Sequence, residues 1–227
     1  MTPDIADDFL EYGVQVMTGG NHTWDKKEII PYFDEQPRLL RPANFPPGTP
    51  GRGVYVARAR GGVPVAVINV IGRVFMTPLD DPFRVVETEI QAVQTEARVV
   101  FVDFHAEATS EKVAMGWHLD GRATAVVGTH THVQTADERI LHHGTAYITD
   151  VGMTGPHDSV IGVDKSAIIA RFLSGRPTRF ETATENPRLN GVIVTADETT
   201  GRARAIERLT MSAQEIEQLA ARPVAAR

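Results

Sequence analysis

The sequence predicts a layered α/β sandwich built on a mixed sheet. Apolar runs of strand length alternate with segments of helical spacing through the first two-thirds of the chain, and two hairpins are added. The 227 residues are enough for one domain with a sizeable core, so we expect 1–227 to form a single domain. Hydrophobic residues make up 42% and charged residues 23%, which is typical of globular proteins.

The first elements are read from caps, turn residues and periodicity. Thr2 can cap a helix over 3–12, Pro3 suits its first turn, and Gly13 ends it. The later predictions in this half are a short strand over 14–17, a segment over 24–36 that begins as a helix and breaks or kinks at Pro31, a Pro- and Gly-rich loop over 41–53, and two strands over 54–59 and 63–70 joined as a hairpin.

The second half continues the alternation and closes with a hairpin and a helix. The predicted elements are a helix over 82–97, a buried strand over 99–104, a helix over 109–119, a strand over 124–127, a helix over 164–173, a hairpin with strands over 191–196 and 203–209, and a terminal helix from Ser212. The alternating part favours a mixed sheet that is covered by helices.

Charge and composition exclude several classes of function. The net charge of −6 argues against a general nucleic-acid-binding surface, although it permits a small anionic substrate held by metal ions. The chain has no cysteine, so any metal must be held by His, Asp, Glu, Asn or backbone oxygen. No apolar run reaches membrane-spanning length, and the acidic N-terminus does not read as a signal peptide, so we expect a cytoplasmic protein.

Polar side chains of metal-ligand type follow three separate apolar strands. Asn21 and His22 follow "VQVMTGG", His105 follows "VVFVDF", and His130 and His132 follow "AVVGT". Ligands of open α/β sheets bind at the carboxyl ends of the strands, where the loops of neighbouring strands meet. The sequence therefore predicts that these groups converge at one sheet edge.

The residue types indicate which metal and which chemistry. Imidazole and amide donors without sulfur suit Mn, Fe or Zn better than Ca or Mg. If the segment at His130 and His132 is extended, both side chains point to the same side and can serve two ions or two positions on one ion. Two such ions can clamp a phosphoryl group, and His22 could protonate a leaving alkoxide.

Each histidine also has an interpretation without function. Taken alone, Asn21 and His22 fit an exposed turn, and His105 fits a buried histidine with satisfied hydrogen bonds. We assign to structure or surface three histidines that lie within a helix or before a glycine turn: His118, His142 and His143. His157 lies in a glycine-rich loop that either reaches the site or is a plain connector.

Longer motifs around these residues resemble a known family. They are "GGNHTWDKKEI", "FVDFHAEATSEK", "GTHTHVQTAD" and "TDVGMTGPHDSVIG". Their content and order resemble the YmdB-like branch of the calcineurin-like metallophosphoesterases, and the resemblance extends from Thr2 to Leu209. It implies a four-layer α/β/β/α sandwich with mixed sheets.

The resemblance also implies an activity and a site. Asn21, His105 and His130 match ligands of one metal, His132 matches a ligand of the other, and His22 matches the general acid. The implied cofactors are two divalent transition-metal ions, Fe or Mn first and Zn next. The implied reaction is phosphodiester hydrolysis of a small substrate, 2′,3′- or 3′,5′-cyclic nucleotides, by a homo-oligomer that binds neither membranes nor nucleic acids stably.

Two blocks of the family pattern do not occur in the sequence. Family members begin with strands that end in Gly-Asp and Glu-Asn blocks, which supply an aspartate and a bridging glutamate to the metals. This chain opens at the helix before the strand that leads to Asn21, so the first βαβ stretch is missing. We expect Met1 to be internal to a longer protein, and little activity from the chain as it stands.

Three functions compete at this point. The first is a dinuclear-metal phosphodiesterase, and the second is a shortened, non-catalytic protein that keeps a partial metal site and acts by binding or assembly. The third is a metal-dependent amidohydrolase, since that class also uses a His-x-His motif. Its motif normally lies on the first barrel strand, however, whereas here it lies past the middle of the chain.

Overall fold

A six-stranded mixed sheet dominates the computed structural model, which describes residues 1–221. The helices are α1 (Pro3–Glu11), α2 (Ile29–Glu35), α3 (Pro82–Val93), α4 (Thr109–His118), α5 (Lys165–Ser174) and α6 (Ala213–Ala220). The strands are β1 (Met17–Thr18), β2 (Leu39–Leu40), β3 (Val54–Arg58), β4 (Pro64–Ile71), β5 (Val99–His105), β6 (Ala125–Thr129), β7 (Arg139–Ile140), β8 (Ala146–Ile148), β9 (Gly155–Pro156), β10 (Pro187–Ala196) and β11 (Ala203–Ser212).

The strands form three sheets. The largest has the order β3-β4-β5-β6-β8-β7, in which the four inner strands are parallel and the two edge strands antiparallel to their neighbours. The second has the order β11-β10-β9, and β1 and β2 form a parallel pair. Polar groups that follow β5 and β6 therefore lie at the same edge of the large sheet.

Both faces of the large sheet are covered. Val86 and Ile90 of α3 and Met115 of α4 pack with Ile68 and Val102 of the sheet in one apolar core. On the opposite face, a smaller cluster joins the large sheet to the β10–β11 hairpin, and α6 contacts both strands of that hairpin. The predicted α/β/β/α sandwich with mixed sheets is thereby confirmed.

The elements with clear caps or turn residues are found close to their predicted positions. Thr2 caps α1, Asp164 caps α5 with left-handed Gly175 at its end, and Ser212 opens α6 with a capping box. Both predicted hairpins are present. The part of the predicted terminal helix beyond residue 221 lies outside the described residues. In the described part of the chain, no helix is long and apolar enough to cross a membrane.

Two predictions near the N-terminus are wrong in detail. The strand predicted over 14–17 consists of Met17 and Thr18. The helix predicted from residue 24 begins only at Ile29, and Pro31 lies in its first turn, where a proline costs no intrahelical hydrogen bond. Residues 21–28 form successive turns because the Thr23 hydroxyl bonds back to the Gly20 main chain and so competes with helix formation.

Candidate metal centre

His105 and His130 are brought together by the pairing of β5 with β6. His105 is the last residue of β5 and pairs with Thr129, the last residue of β6, so His130 follows directly beside it. The centroids of the two imidazole rings lie 4.8 Å apart. The predicted convergence of the second and third strand ends is therefore observed.

Asn21 reaches the same place from the turn after β1. The Gly19 N–H donates to the side-chain oxygen of Asn69 on β4 (3.2 Å), which anchors this turn to the large sheet. The Gly20 backbone lies against the His105 ring, because a Cβ atom there would come within 3.0 Å of three ring atoms. Asn21 Oδ1 then lies 2.7 Å from His105 Nε2. The two glycines of the motif permit this close approach.

The tautomer of His105 follows from the groups behind it. The Thr129 hydroxyl donates to Asp103 Oδ1 (2.8 Å), so its oxygen accepts the Nδ1–H of His105 (3.0 Å). His105 Nε2 then keeps its lone pair and faces the carbonyl oxygen of Asn21. In this tautomer both atoms present lone pairs to the same point, so the contact fits a pair of ligands of one metal ion.

Burial sets the charges at this centre. Burial lowers the pKa of His105 to about 3, with the neighbouring His130 as a smaller cause, so His105 is neutral at physiological pH. Burial also lowers the pKa of His130. The pKa of Asp103 is raised by burial to about 6, which leaves it mostly ionised at neutral pH behind Thr129. Both imidazoles are thus held in the neutral form that binds metals.

The His130–Thr131–His132 segment is not extended, which corrects the prediction. His130 and His132 both have positive φ values, 98° and 68°, so the chain coils after β6 instead of continuing as a strand. A buried ion pair between Lys112 and Asp150 (2.8 Å) holds the intervening Thr131. Asp150 Oδ2 accepts from the Thr131 N–H (3.0 Å) and hydroxyl (2.7 Å). Backbone strain of this kind is concentrated at functional sites.

The two histidines of this segment have different partners. His130 Nε2 lies 3.0 Å from Glu107 Oε2, in the loop after β5. His132 Nδ1 donates to the Ile161 carbonyl (2.9 Å), which leaves only Nε2 for a ligand. The structure therefore groups Asn21, His105 and His130, whereas the hydrogen bond of His132 directs its ring toward the loop after β9. The role of His132 as a ligand of a second metal stays a prediction.

His22 is placed apart from the metal-type ligands. Its side chain is 76% exposed, and its Nδ1 atom lies 2.8 Å from Asp25 Oδ2. Asn21 and His22 are adjacent, yet Asn21 points to His105 and His22 to Asp25. The structure thus separates the predicted ligand from the predicted acid, and Asp25 fixes the imidazole so that Nε2 faces away from it.

The remaining histidines make structural contacts. His143 bonds through Nδ1 to Asp120 (2.9 Å) at the surface. The interpretation of His157, left open by the sequence, is settled by its contacts, since its Nδ1 donates to the Gly155 carbonyl (2.9 Å) and its Nε2 accepts from Asn190 (3.0 Å). Both nitrogens are occupied, so His157 stabilises the glycine-rich loop.

Sequence reasoning missed the groups that support this centre. Lys112, Asp150 and Asp103 are each buried to at least 95%. Asp103 interrupts the apolar run of β5, and this interruption is a signal that could have found it, whereas Lys112 lies beside a second buried charged residue on α4, Glu111. Asp150, after β8, gave no such signal because its strand has only three residues.

The donor set at this edge meets part of what a metal ion requires. In residues 1–221, no group of three or more His, Asp or Glu side chains is arranged to hold a metal. Asn21, His105 and His130 instead offer one amide oxygen and two imidazoles, which suit a divalent transition metal. These residues fit one part of a metal site.

The fold and this edge define a phosphoesterase-type α/β sandwich, and comparisons with known proteins agree. The family model described as "YmdB-like protein" matches residues 1–209, and the chain belongs to that family. The chain is 52% identical over 212 residues to a 2′,3′-cyclic-nucleotide 2′-phosphodiesterase of Bacillus subtilis, and the match covers 93% of this chain and 80% of that protein. The resemblance inferred from the motifs is thereby confirmed.

Two solved structures share the fold. A hypothetical protein from Thermus thermophilus superposes with a TM-score of 0.86 at 42% identity, covering 93% of this chain and 82% of that one. A structure described as a novel phosphatase from Mycoplasma pneumoniae superposes with a TM-score of 0.85 at 33% identity, covering 96% and 80%. The amidohydrolase alternative is wrong, since the fold is that of these proteins and the sheets are open.

Proposed function

We propose that this protein is a metal-dependent phosphodiesterase that hydrolyses cyclic nucleotides, 2′,3′-cyclic phosphates first and 3′,5′-cyclic phosphates next. The observation that carries the proposal is the pair of lone-pair donors, Asn21 Oδ1 and His105 Nε2, at 2.7 Å beside His130. A metal bound there would supply an activated hydroxide and neutralise charge on the phosphoryl group. Fe or Mn is the proposed metal, Zn the alternative, and a second ion at His132 belongs to the same proposal.

His22 supplies the proton in this scheme. Asp25 accepts the Nδ1–H of His22 at 2.8 Å and so fixes the orientation of the imidazole ring. The Nε2–H is then oriented outward, toward the rim where the leaving oxygen would lie. As the oxygen of water bonds to phosphorus and the bond from phosphorus to the sugar oxygen breaks, His22 transfers its Nε2 proton to the departing oxygen.

The purified protein with added Mn²⁺ is expected to hydrolyse 2′,3′-cyclic AMP slowly but measurably above a blank without protein, as followed by chromatography of the nucleoside monophosphate product. In His22→Ala, kcat should fall by about 10²–10⁴-fold with this substrate, because a sugar alkoxide leaves only when it is protonated. With bis(p-nitrophenyl) phosphate the loss should be much smaller, since p-nitrophenolate hardly needs a proton.

His143→Ala is the matched control for this variant. His143 is also an exposed histidine whose Nδ1 atom bonds to an aspartate, Asp120. Its removal should leave both activities unchanged. If kcat fell equally with the two substrates in His22→Ala, or if this variant lost bound metal, His22 would not be the general acid. If the wild-type protein turned over neither substrate, the proposed function itself would be refuted.

A further inference from the structure

A groove of about 520 Å³ begins at His132, the proposed ligand of a second ion, and its other lining residues have no role in the proposed reaction. Its walls come from the segment after β6, from the glycine-rich loop and from β10; they include Val133, Met153, Ile161 and Arg188. This volume lies in the range of pockets that hold small organic ligands. Because His132 lies two residues after His130, the groove lies beside the candidate centre and can receive whatever is attached to a phosphate there.

Three polar side chains of the groove wall, those of Gln134, Asn190 and Ser159, make hydrogen bonds within the protein. Gln134 donates its amide hydrogens to main-chain carbonyls and accepts from the Thr210 hydroxyl (2.9 Å). The Asn190 amide donates to the Met153 carbonyl (3.1 Å) and to His157 (3.0 Å), whereas its side-chain oxygen is buried and has no hydrogen-bond partner among residues 1–221. The Ser159 hydroxyl donates to a carbonyl and accepts from an N–H. These groups form the wall of the groove, and their hydrogen-bonding atoms are not available to a ligand.

The groups that remain exposed are apolar, apart from one cation. The side chains of Val133 and Ile161 are 63% and 53% exposed, beside His132. Arg188 uses its Nε–H on Asn186 (3.3 Å), and no carboxylate among residues 1–221 forms a salt bridge with its guanidinium. A flat, delocalised cation beside apolar side chains suits the face of an aromatic ring.

The shape of the groove is fixed before any ligand binds. Ile161 has a φ of 47°, which is unusual for a β-branched residue. His132 donates a hydrogen bond to the Ile161 carbonyl, and the Ser159 hydroxyl accepts one from the next N–H, that of Gly162 (2.9 Å). Because two hydrogen bonds restrain this segment, the Ile161 side chain has a fixed position before a ligand binds. Ligand binding therefore does not incur the entropy cost of ordering this wall.

We infer that this groove binds the nucleobase of the substrate, by contact with Arg188 and the apolar wall, and that it does not distinguish one base from another. The inference rests on the proposed function for the position of the phosphate. A site that hydrogen-bonds its ligand rejects analogues by about 10⁴–10⁵-fold, whereas an apolar pocket discriminates by only about 10–200-fold. The groove belongs to the second class because Gln134 and Ser159 are engaged within the protein and the Asn190 oxygen is buried.

Equilibrium binding tests this inference without requiring turnover. Isothermal titration calorimetry with Mn²⁺ should give dissociation constants within about tenfold for the four nucleoside 3′-monophosphates. Ribose 5-phosphate, which lacks a base, should bind at least about tenfold more weakly. Arg188→Met and, as a second variant, Val133→Ser should each reduce the difference in affinity between the nucleotides and ribose 5-phosphate. Arg60→Met, at an exposed arginine of the β3–β4 hairpin, should leave this difference unchanged.

Several results would overturn the inference. A preference of about 1,000-fold for one base would mean that polar readout exists. Equal dissociation constants for ribose 5-phosphate and the nucleotides would show that the base does not occupy the groove. The same conclusion would follow if the difference between them persisted in both groove variants, or if no nucleotide bound. Loss of turnover alone bears on the proposed function, because these measurements do not depend on hydrolysis.

Discussion

Lys112→Met is expected to lower the melting temperature by roughly 6 to 20 °C, the largest loss among the substitutions considered. Lys112 Nζ lies 2.8 Å from Asp150 Oδ2, and both side chains are 1% exposed. Removing the ammonium leaves a buried carboxylate without its counter-charge. Breaking such a pair costs about 3–5 kcal/mol, and one kcal/mol corresponds to ~2–4 °C in a protein of this size.

The double variant Lys112→Met/Asp150→Asn identifies the cause of the loss. Without its carboxylate, residue 150 no longer buries a charge that has lost its partner, so part of the stability should return. Lys165→Met, at an exposed lysine in the first turn of α5, should melt within about 2 °C of the wild type. If Lys112→Met melted that close to the wild type as well, the ion pair would not anchor the Thr131 segment.

Gly20→Ala is expected to reduce kcat/KM for 2′,3′-cyclic AMP by about 100-fold. The new methyl group would lie less than 3.0 Å from three atoms of the His105 ring, and the imidazole must move to accommodate it. A displacement of about 1 Å at a reacting centre typically costs ~10²-fold in rate. Metal affinity should fall with activity, because His105 moves away from Asn21.

Gly191→Ala is the matched control for Gly20→Ala. A Cβ atom at Gly191 would meet no atom within 4 Å, and neither glycine has a positive φ, so backbone strain enters neither variant. Gly191→Ala should therefore keep wild-type activity. Wild-type kinetics in Gly20→Ala would show that the His105 position is not set by the Gly20 backbone, whereas equal losses in both variants would point to a general effect on folding.

The sequence signals were sufficient where local chemistry decides the structure. Thr2, Asp164 and Ser212 cap the helices that were predicted after them, and the turns at Gly61–Gly62 and Gly201 join the predicted hairpins. The register of β5 with β6 follows the expectation that consecutive parallel strands end together, so His105 and His130 were predicted to meet.

Prediction was insufficient where distant residues decide the structure. The positive φ values of His130 and His132 depend on Lys112 and Asp150, which lie 19 residues from Thr131 on either side in sequence. The helix start at Ile29 depends on turns made by Thr23. Strands as short as β7, β8 and β9 carry too few residues to show a period of two.

Metal content tests the central claim, that Asn21, His105 and His130 form a transition-metal centre, most directly. Wild-type protein, His105→Ala and His143→Ala would each be incubated with Mn²⁺, Fe²⁺ or Zn²⁺, desalted, and measured by elemental mass spectrometry. We predict bound metal in the wild type and in His143→Ala, and substantially less in His105→Ala. Equal metal content in all three proteins, or none in the wild type, would contradict the assignment.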